Sequence, residues 1–148
     1  MQIQWLLKKF EELSPGQLYA VLQLRNEVFV VEQNCVFQDA DDKDQSSFHL
    51  MGFANGKLIA YTRLVPAGVG YEQPSIGRVV TSPSVRHSGA GKELMRQSIA
   101  AVYALFGEQP IKIGAQLYLK KFYESFGFKQ ISDVYDEDGI DHIYMLKL

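Results

Sequence analysis

Cysteine is almost absent from this sequence, and its scarcity excludes the small folds that depend on disulfides. Cys35 is the single cysteine among 148 residues, so no disulfide can form within the chain. A lone thiol is typical of a reducing compartment. A chain of this length can bury a core without such cross-links, and we expect one domain over residues 1–148.

Long apolar runs and blocks of basic charge are missing as well. No stretch approaches the roughly 20 apolar residues of a transmembrane helix, and the first residues lack the basic start and apolar core of a signal peptide. The net charge is −2, and no run of lysine or arginine exceeds two residues. These absences predict a soluble cytoplasmic protein that binds neither membrane nor nucleic acid.

Local patterns divide the chain into alternating strands and helices. Ser14-Pro15-Gly16-Gln17 predicts a capped helix start, and Asn55-Gly56 predicts a hairpin turn between two strands. The order of elements implies a mixed sheet with helices on its faces. The predicted strands cover residues 3–9, 48–54, 58–65, 76–81, 111–115, 128–135 and 140–148, and the predicted helices run from Ser14 to about Phe29, from Lys92 to about Gly107, and over 118–126.

A polar, irregular segment lies between Glu32 and Ser47. It contains four closely spaced aspartates, Asp39, Asp41, Asp42 and Asp44. The glycine and the terminal glutamate of an EF-hand calcium loop are absent, so we predict no metal site. The charge run predicts a solvated loop. Contact with a substrate stays open as the alternative, because long irregular loops are often functional.

The segment from Arg78 to Lys92 predicts a strand, a turn with two glycines, and the start of a helix. The first N–H groups of a helix have no partner within it and carry partial positive charge, so this turn could hold a phosphate. The same pattern is equally typical of a connection without a ligand. Gly91-Lys92 is followed by Glu93, which excludes the Walker motif, and the third glycine of a dinucleotide fingerprint is missing.

Two separated motifs resemble the GCN5-related N-acetyltransferase (GNAT) superfamily. Arg86-His87-Ser88-Gly89-Ala90-Gly91 is similar to its Arg/Gln-x-x-Gly-x-Gly/Ala signature. The stretch from Gln116 to Phe128 is similar to its second motif, with Gln116 and Leu119 in place of the usual Asn and Ala. Residues 24–33, Asp41, His49 and Gly139-Ile140-Asp141-His142 resemble the ElaA-like branch of that superfamily.

The resemblance implies an α+β fold, with a central, mixed, mostly antiparallel sheet of six to seven strands flanked by about four helices. A cofactor cleft would open between the splayed strands of Val80 and Ile113. The implied activity is transfer of an acetyl group from acetyl-CoA to a primary amine of a small molecule or peptide. The alternative is a non-catalytic acyl-CoA-binding or sensor module. Many relatives dimerise, and an exposed carboxy-terminal strand could pair with a second copy.

The resemblance also assigns the residues that would bind the donor. Arg86 begins the first motif and shapes the turn. Val79, Val80 and Thr81 would pair with the amide groups of pantetheine. Gln116 would bond to pantetheine as well, or else cap the following helix. The pyrophosphate would be held by backbone groups of His87, Ser88, Gly89, Ala90, Gly91 and Lys92.

For the chemistry, the resemblance implies a backbone oxyanion contact at Val80 and a general acid at Tyr123, which could instead be a packed aromatic residue. Direct transfer needs no acyl-enzyme, so Cys35 is interpreted as a packed thiol. No glutamate lies on the strand before the second motif. Glu32, His49 or His142 could supply the base, although His142 could equally be structural. Arg25 and Arg63 would either meet an acidic group of the substrate or pair with Glu32 or an aspartate of the acidic loop.

Overall fold

The computed structural model describes residues 1–148 and contains two four-stranded sheets. The first sheet has the order β1-β2-β3-β4. Its strands are β1 (Gln4–Lys9), β2 (Phe48–Ala54), β3 (Lys57–Val65) and β4 (Ser75–Thr81). The β2–β3 hairpin turns at Asn55-Gly56, as predicted, and all neighbouring strands are antiparallel.

The second sheet consists of β5 (Ile111–Gln116), β6 (Phe128–Gln130), β7 (Tyr135–Glu137) and β8 (Ile140–Lys147). Strand β8 pairs with β5 along one side and with β6 and β7 along the other, again antiparallel throughout. The prediction of an exposed carboxy-terminal strand is therefore wrong, because β8 has neighbours on both edges. The sheets together have eight strands instead of the expected six to seven.

The predicted strand over 128–135 is interrupted, which accounts for the additional strand. Between β6 and β7 the chain leaves the ladder, and the Ser132 side chain takes the place of a backbone partner. Its Oγ accepts a hydrogen bond of 2.9 Å from the Tyr144 N–H, while the Ile131 N–H donates to the Tyr144 carbonyl at 2.9 Å. A serine that can satisfy a backbone group allows the strand to break at little cost.

Three α-helices are present rather than about four: α1 (Pro15–Arg25), α2 (Ala90–Phe106) and α3 (Lys120–Glu124). The predicted capping box is confirmed, because Ser14 accepts from the Gln17 N–H and the Gln17 side chain accepts from the Ser14 N–H. Beyond Arg25 the chain continues as a π-helical segment, Asn26–Glu32. No helix is both long and apolar enough to cross a membrane.

The core lies between α2, α3 and the second sheet, and a smaller apolar cluster packs α1 onto the first sheet. Helix α2 connects β4 to β5, the crossover expected for two strands that run in the same direction. These two strands share no hydrogen-bonded ladder. They touch where they begin, at a 3.1 Å bond from the Lys112 N–H to the Pro74 carbonyl, and a cleft opens beyond it. The predicted splayed strands are confirmed.

Candidate active site

A cavity of about 820 Å³ occupies the cleft between β4 and β5. Its walls come from these two strands, the start of α2, helix α3, the π-helical segment and the turn between β7 and β8. Of the predicted donor residues, ten line it: Val79, Val80, Thr81, Arg86, His87, Gly89, Gly91, Lys92, Gln116 and Tyr123. Ser88 and Ala90 are not among the lining residues.

The turn before α2 leaves backbone N–H groups free at one end of the cavity. The first bond of the helix runs from the Glu93 N–H to the Gly89 carbonyl at 3.2 Å, so the N–H groups of Gly91 and Lys92 have no partner within the helix. Gly89 has a φ of 87°, in the left-handed region that favours glycine. Ser88 shapes the turn through bonds to the Val85 carbonyl and the Ala90 N–H.

Arg86 ties this turn to the π-helical segment. Its guanidinium donates two hydrogen bonds to the carboxylate of Glu32, at 2.6 and 2.5 Å. Hydrogen bonding from Arg86 lowers the pKa of Glu32, and the same contact raises the pKa of Arg86. Both side chains remain partly exposed and both line the cavity. Glu32 therefore does not pair with Arg25 or Arg63.

The hydrogen bonding of β4 fixes which of its backbone groups face the cleft. The Ser82 N–H donates to the Ile59 carbonyl at 2.8 Å, and Val80 lies opposite Tyr61 two residues further along the same ladder. Because hydrogen-bonded pairs alternate in antiparallel strands, the Val80 N–H points toward β3. Val79 and Thr81 are left to face the cleft. This geometry argues against the predicted oxyanion contact at Val80.

A bulge lies next to these residues, and sequence reasoning missed it. The register of β4 against β3 shifts between Tyr61 and Arg63, and Arg78 adopts a φ of 50° there. The Arg78 side chain lines the cavity and donates to the Asp39 carboxylate at 2.8 Å and to the Asp39 carbonyl at 2.9 Å. A glycine followed by a charged residue inside the strand, Gly77-Arg78, was the signal available for it.

Gln116, at the end of β5, pairs with a residue from the opposite wall. Its side-chain amide exchanges hydrogen bonds with that of Gln33, at 3.3 and 3.4 Å. It makes no hydrogen bond to the helical turn that follows, so the alternative that it caps this turn is wrong. Both amides line the cavity, where they can exchange this mutual pair for bonds to a ligand.

Tyr123 lines the cavity although its side chain is only 5% exposed. Its ring packs edge-on against Phe122 and Phe128, at centroid distances of 5.2 and 6.1 Å. Burial raises the pKa of this phenol. The hydroxyl therefore keeps its proton at neutral pH and can act as a hydrogen-bond donor.

Arg25 and Arg63 lie outside the cavity, in a buried network with the acidic loop. Arg25 bonds to Asp39 and Asp44, each at 2.8 Å, and Arg63 bonds to Asp41 at 2.7 Å and to Asp44 at 2.9 Å. Burial opposes ionisation of Asp44, but hydrogen bonds from the arginines outweigh it and lower its pKa. The predicted solvated loop is wrong for these aspartates, and the alternative of arginine–aspartate pairing is confirmed.

His49 also belongs to this interior rather than to the cavity. Its Nδ1 bonds to the Tyr61 hydroxyl at 2.6 Å, and its Nε2 bonds to the Asp44 carbonyl at 2.9 Å. Burial lowers the pKa of its imidazole, so the ring is neutral at neutral pH. With both nitrogens occupied, His49 is a structural histidine. We therefore do not retain Arg25, Arg63 or His49 as contacts of an acceptor.

His142 is the predicted histidine that does line the cavity. Its Nδ1 lies 2.8 Å from the Ile140 carbonyl oxygen, and its Nε2 lies 3.3 Å from Oε2 of Glu137. Cys35 forms part of the same wall and donates from Sγ to the Asp138 carbonyl at 3.1 Å. Sequence reasoning missed Glu137 and Asp138, because Asp136-Glu137-Asp138-Gly139 reads only as a turn.

A cavity between two splayed strands, with free N–H groups in the turn before α2, agrees with the family and the relatives to which the chain is similar. The acetyltransferase (GNAT) domain family matches residues 16–148, and the chain belongs to this family. It is 42% identical to the protein ElaA of Escherichia coli over 147 residues, which cover 98% of this chain and 96% of ElaA. A UPF0039 protein of Synechocystis is 41% identical over 147 residues.

Solved structures support the same family and fold. A crystal structure of an acyl-CoA N-acyltransferase from Pseudomonas aeruginosa superposes with a TM-score of 0.95 at 40% identity, covering 99% of this chain and 100% of that one. The crystal structure of E. coli ElaA gives 0.93 at 41% identity, with the same coverage. An aminoglycoside 6′-N-acetyltransferase crystallised with coenzyme A shares the fold, with a TM-score of 0.70 at 16% identity. The predicted GNAT fold and ElaA-like branch are confirmed.

Proposed function

We propose that this chain, acting as a single domain, is an acetyl-CoA-dependent N-acetyltransferase for a primary amine of a small molecule or peptide. The observation that carries the proposal is the cavity between the splayed strands, which has free N–H groups at one end and Tyr123 inside it. Family membership supports the acyl-transfer chemistry. The coenzyme A bound by the related aminoglycoside enzyme supports the donor.

In this proposal the donor lies along β4. The free N–H groups of Gly91 and Lys92, together with the positive end of α2, hold the pyrophosphate. Pantetheine pairs with the backbone of Val79 and Thr81 as an additional strand. The Gln116 amide, freed from Gln33, bonds to pantetheine from the opposite side. The thioester then reaches the middle of the cavity.

The transfer itself is a direct attack. A neutral amine adds to the thioester carbon, and the Val79 N–H stabilises the negative charge that develops on the carbonyl oxygen. The C–S bond breaks, Tyr123 gives a proton to the leaving sulfur, and the proton lost by the amine nitrogen restores the phenol. A free phenol has a pKa of about 10 and a thiol about 8.5, so this proton moves only once charge has built up on sulfur.

A non-catalytic acyl-CoA-binding or sensor module is the second candidate, and the lack of a carboxylate on β5 favours it. The two candidates are distinguished by measuring release of coenzyme A from acetyl-CoA across a panel of primary amines, beside the thermal shift with acetyl-CoA. Release supports the enzyme. A thermal shift without release of coenzyme A supports the binding module. If acetyl-CoA causes neither a thermal shift nor release, both candidates are rejected.

Three further parts of the proposal await direct measurement. Homodimerisation is checked by the molar mass in solution, and a cytoplasmic location by fractionation of cells. The absence of a metal requirement is checked by the activity in the presence of a chelator.

A further inference from the structure

Two hydrogen-bond acceptors face each other in the wall of the cavity. The Ile140 carbonyl oxygen can only accept, so the 2.8 Å contact places a hydrogen on Nδ1 of His142. A neutral imidazole then presents the lone pair of Nε2 toward the Glu137 carboxylate, 3.3 Å away. Two acceptors at this distance need a proton or a cationic donor between them.

The other two candidate bases are both bonded to groups of the protein in this structure. Glu32 is held by two hydrogen bonds from Arg86, and both nitrogens of His49 are bonded in the interior. His142 lies directly across the β5–β8 ladder from Gln116, the residue that faces pantetheine in the proposed function. Residues directly opposite each other in a ladder share a face of the sheet, so His142 lies beside the proposed path of pantetheine.

The side chains around His142 come from two strands. From β7 come the Glu137 carboxylate and the ring of Tyr135, whose centroid is 5.8 Å from that of His142. Burial raises the pKa of Tyr135, so this phenol is neutral. From β5 comes the uncharged amide of Gln116. Cys35 and Asp138 line the cavity together with His142, and neither is a cation.

We propose that an aliphatic primary ammonium group of the acceptor binds between Glu137 and His142 and gives a proton to Nε2 of His142. The inference rests on the proposed function for the presence of a donor thioester. It names the acceptor as an amine that is charged at neutral pH. It also assigns His142 as the general base and Glu137 as the counter-ion.

Protons and bonds balance in this scheme. An N–H bond of the ammonium breaks, Nε2 gains that proton, and the free amine attacks the thioester carbon. As the C–S bond breaks, Tyr123 gives its proton to sulfur, and the second proton lost by the amine nitrogen restores the Tyr123 hydroxyl. The products are an amide, the thiol of coenzyme A and one proton. That proton leaves the imidazolium for water beside Glu137, whose side chain is 58% exposed.

The tautomer and the binding of an amine can be tested without turnover. We suggest nitrogen-15 spectra of the full chain with coenzyme A bound, His142 being assigned through His142→Gln and 1,4-diaminobutane serving as the probe. The expected neutral form carries its hydrogen on Nδ1, and the probe shifts the Nε2 signal. A hydrogen on Nε2 in the neutral ring, or a His142 signal that the probe leaves unchanged, would overturn the inference.

Kinetics with the same diamine test the proton transfer. His142→Gln is expected to lower kcat/KM about 100-fold at neutral pH and to abolish the acidic limb of its pH profile, with the Kd for coenzyme A unchanged. Asp141→Asn, on the same strand and exposed, is the matched control and keeps wild-type kinetics. An acidic limb that survives in His142→Gln overturns the assignment. If the wild-type protein acetylates no amine, the proposed function fails, and the spectra still decide this inference.

Discussion

Arginine and carboxylate groups pair in two different settings in this protein. Arg25 and Arg63 are almost fully buried and share three aspartates of the acidic loop. Arg86 and Glu32 form an equally short pair at the cavity, but their side chains are 36% and 40% exposed. Breaking a buried pair leaves a charge without a partner away from water, whereas an exposed pair can exchange its partner for water at little cost.

The two settings therefore serve different purposes. The buried network fastens the acidic loop to the first sheet, and Arg78 extends it to the cavity wall through Asp39. Arg25 and Arg63 do not line the cavity, so we expect the network to act on the stability of the fold. The exposed pair of Arg86 and Glu32 joins the turn before α2 to the π-helical segment across the cavity. An anionic ligand can displace Glu32 from Arg86. We therefore expect the pair to affect the affinity for ligand rather than the free energy of unfolding.

The largest expected effect comes from breaking the buried network. Arg25→Met leaves Asp39 and Asp44 without one of their partners and should lower the free energy of unfolding by about 3–5 kcal/mol. Urea denaturation measures this loss. Arg96→Met is the matched control, because Arg96 pairs with Glu93 on the exposed face of α2 and its removal should cost less than about 1 kcal/mol. Equal losses in the two variants would contradict the comparison.

The next effect concerns chemistry rather than stability. Tyr123→Phe keeps the packed ring but removes the proton donor, so kcat for amine acetylation should fall about 100-fold. The melting temperature should change little. Tyr19→Phe, at a side chain that is 70% exposed on α1, serves as the control and should leave kcat unchanged. An unchanged kcat in Tyr123→Phe would assign this residue to packing alone.

Acid should weaken the buried network selectively. The pKa values of Asp41 and Asp44 are lowered in the folded state, because hydrogen bonds from the arginines outweigh burial. Their contribution is complete above the unfolded-state pKa of about 3.9 and is lost as the pH falls below it. The free energy of unfolding should thus decline below about pH 4.

Asp44→Asn tests the source of that decline. It should lower the free energy of unfolding by about 2 kcal/mol at neutral pH, since charge-assisted hydrogen bonds are lost. It should also flatten the decline in acid. Asp133→Asn, at an exposed carboxylate, should keep the wild-type slope. If the free energy of unfolding falls equally steeply with pH in the wild type and in Asp44→Asn, the acid sensitivity does not come from Asp44.

The smallest stability effect belongs to the exposed pair. Glu32→Gln should change the free energy of unfolding by no more than about 0.5 kcal/mol. The variant should bind coenzyme A several-fold more tightly, because Arg86 is released to meet the phosphates. Isothermal titration calorimetry measures the Kd. Weaker binding would show that the pair supports the cavity instead of competing with the ligand.

Features that depend on neighbouring residues were predictable from the sequence. The capping box at Ser14, the Asn55-Gly56 hairpin and the turn before α2 each form within a few residues, so local chemistry determines them. The resemblance to the GNAT superfamily also allowed the cleft and its location to be predicted. The π-helical segment was not predicted, because its apolar residues also suit a regular helix.

Features that depend on contacts between residues far apart in the sequence could not be predicted from it. Gln33 and Gln116 are 83 positions apart, and nothing near either one indicates the other. The partners of Arg25 could be named only as alternatives, because several carboxylates were available. The phase of the β4 ladder, which turns the Val80 N–H away from the cleft, depends on the bulge at Arg78 and on pairing with β3.

The position of β8 has a consequence for how the protein is made. It is the last strand in chain order, yet it lies at the centre of the second sheet and pairs with β5, β6 and β7. A chain still on the ribosome can complete the first sheet, but its second sheet waits for residues 140–147. The cavity therefore cannot be complete before residues 140–147 are available, and a cut that removes this strand discards the second sheet along with His142.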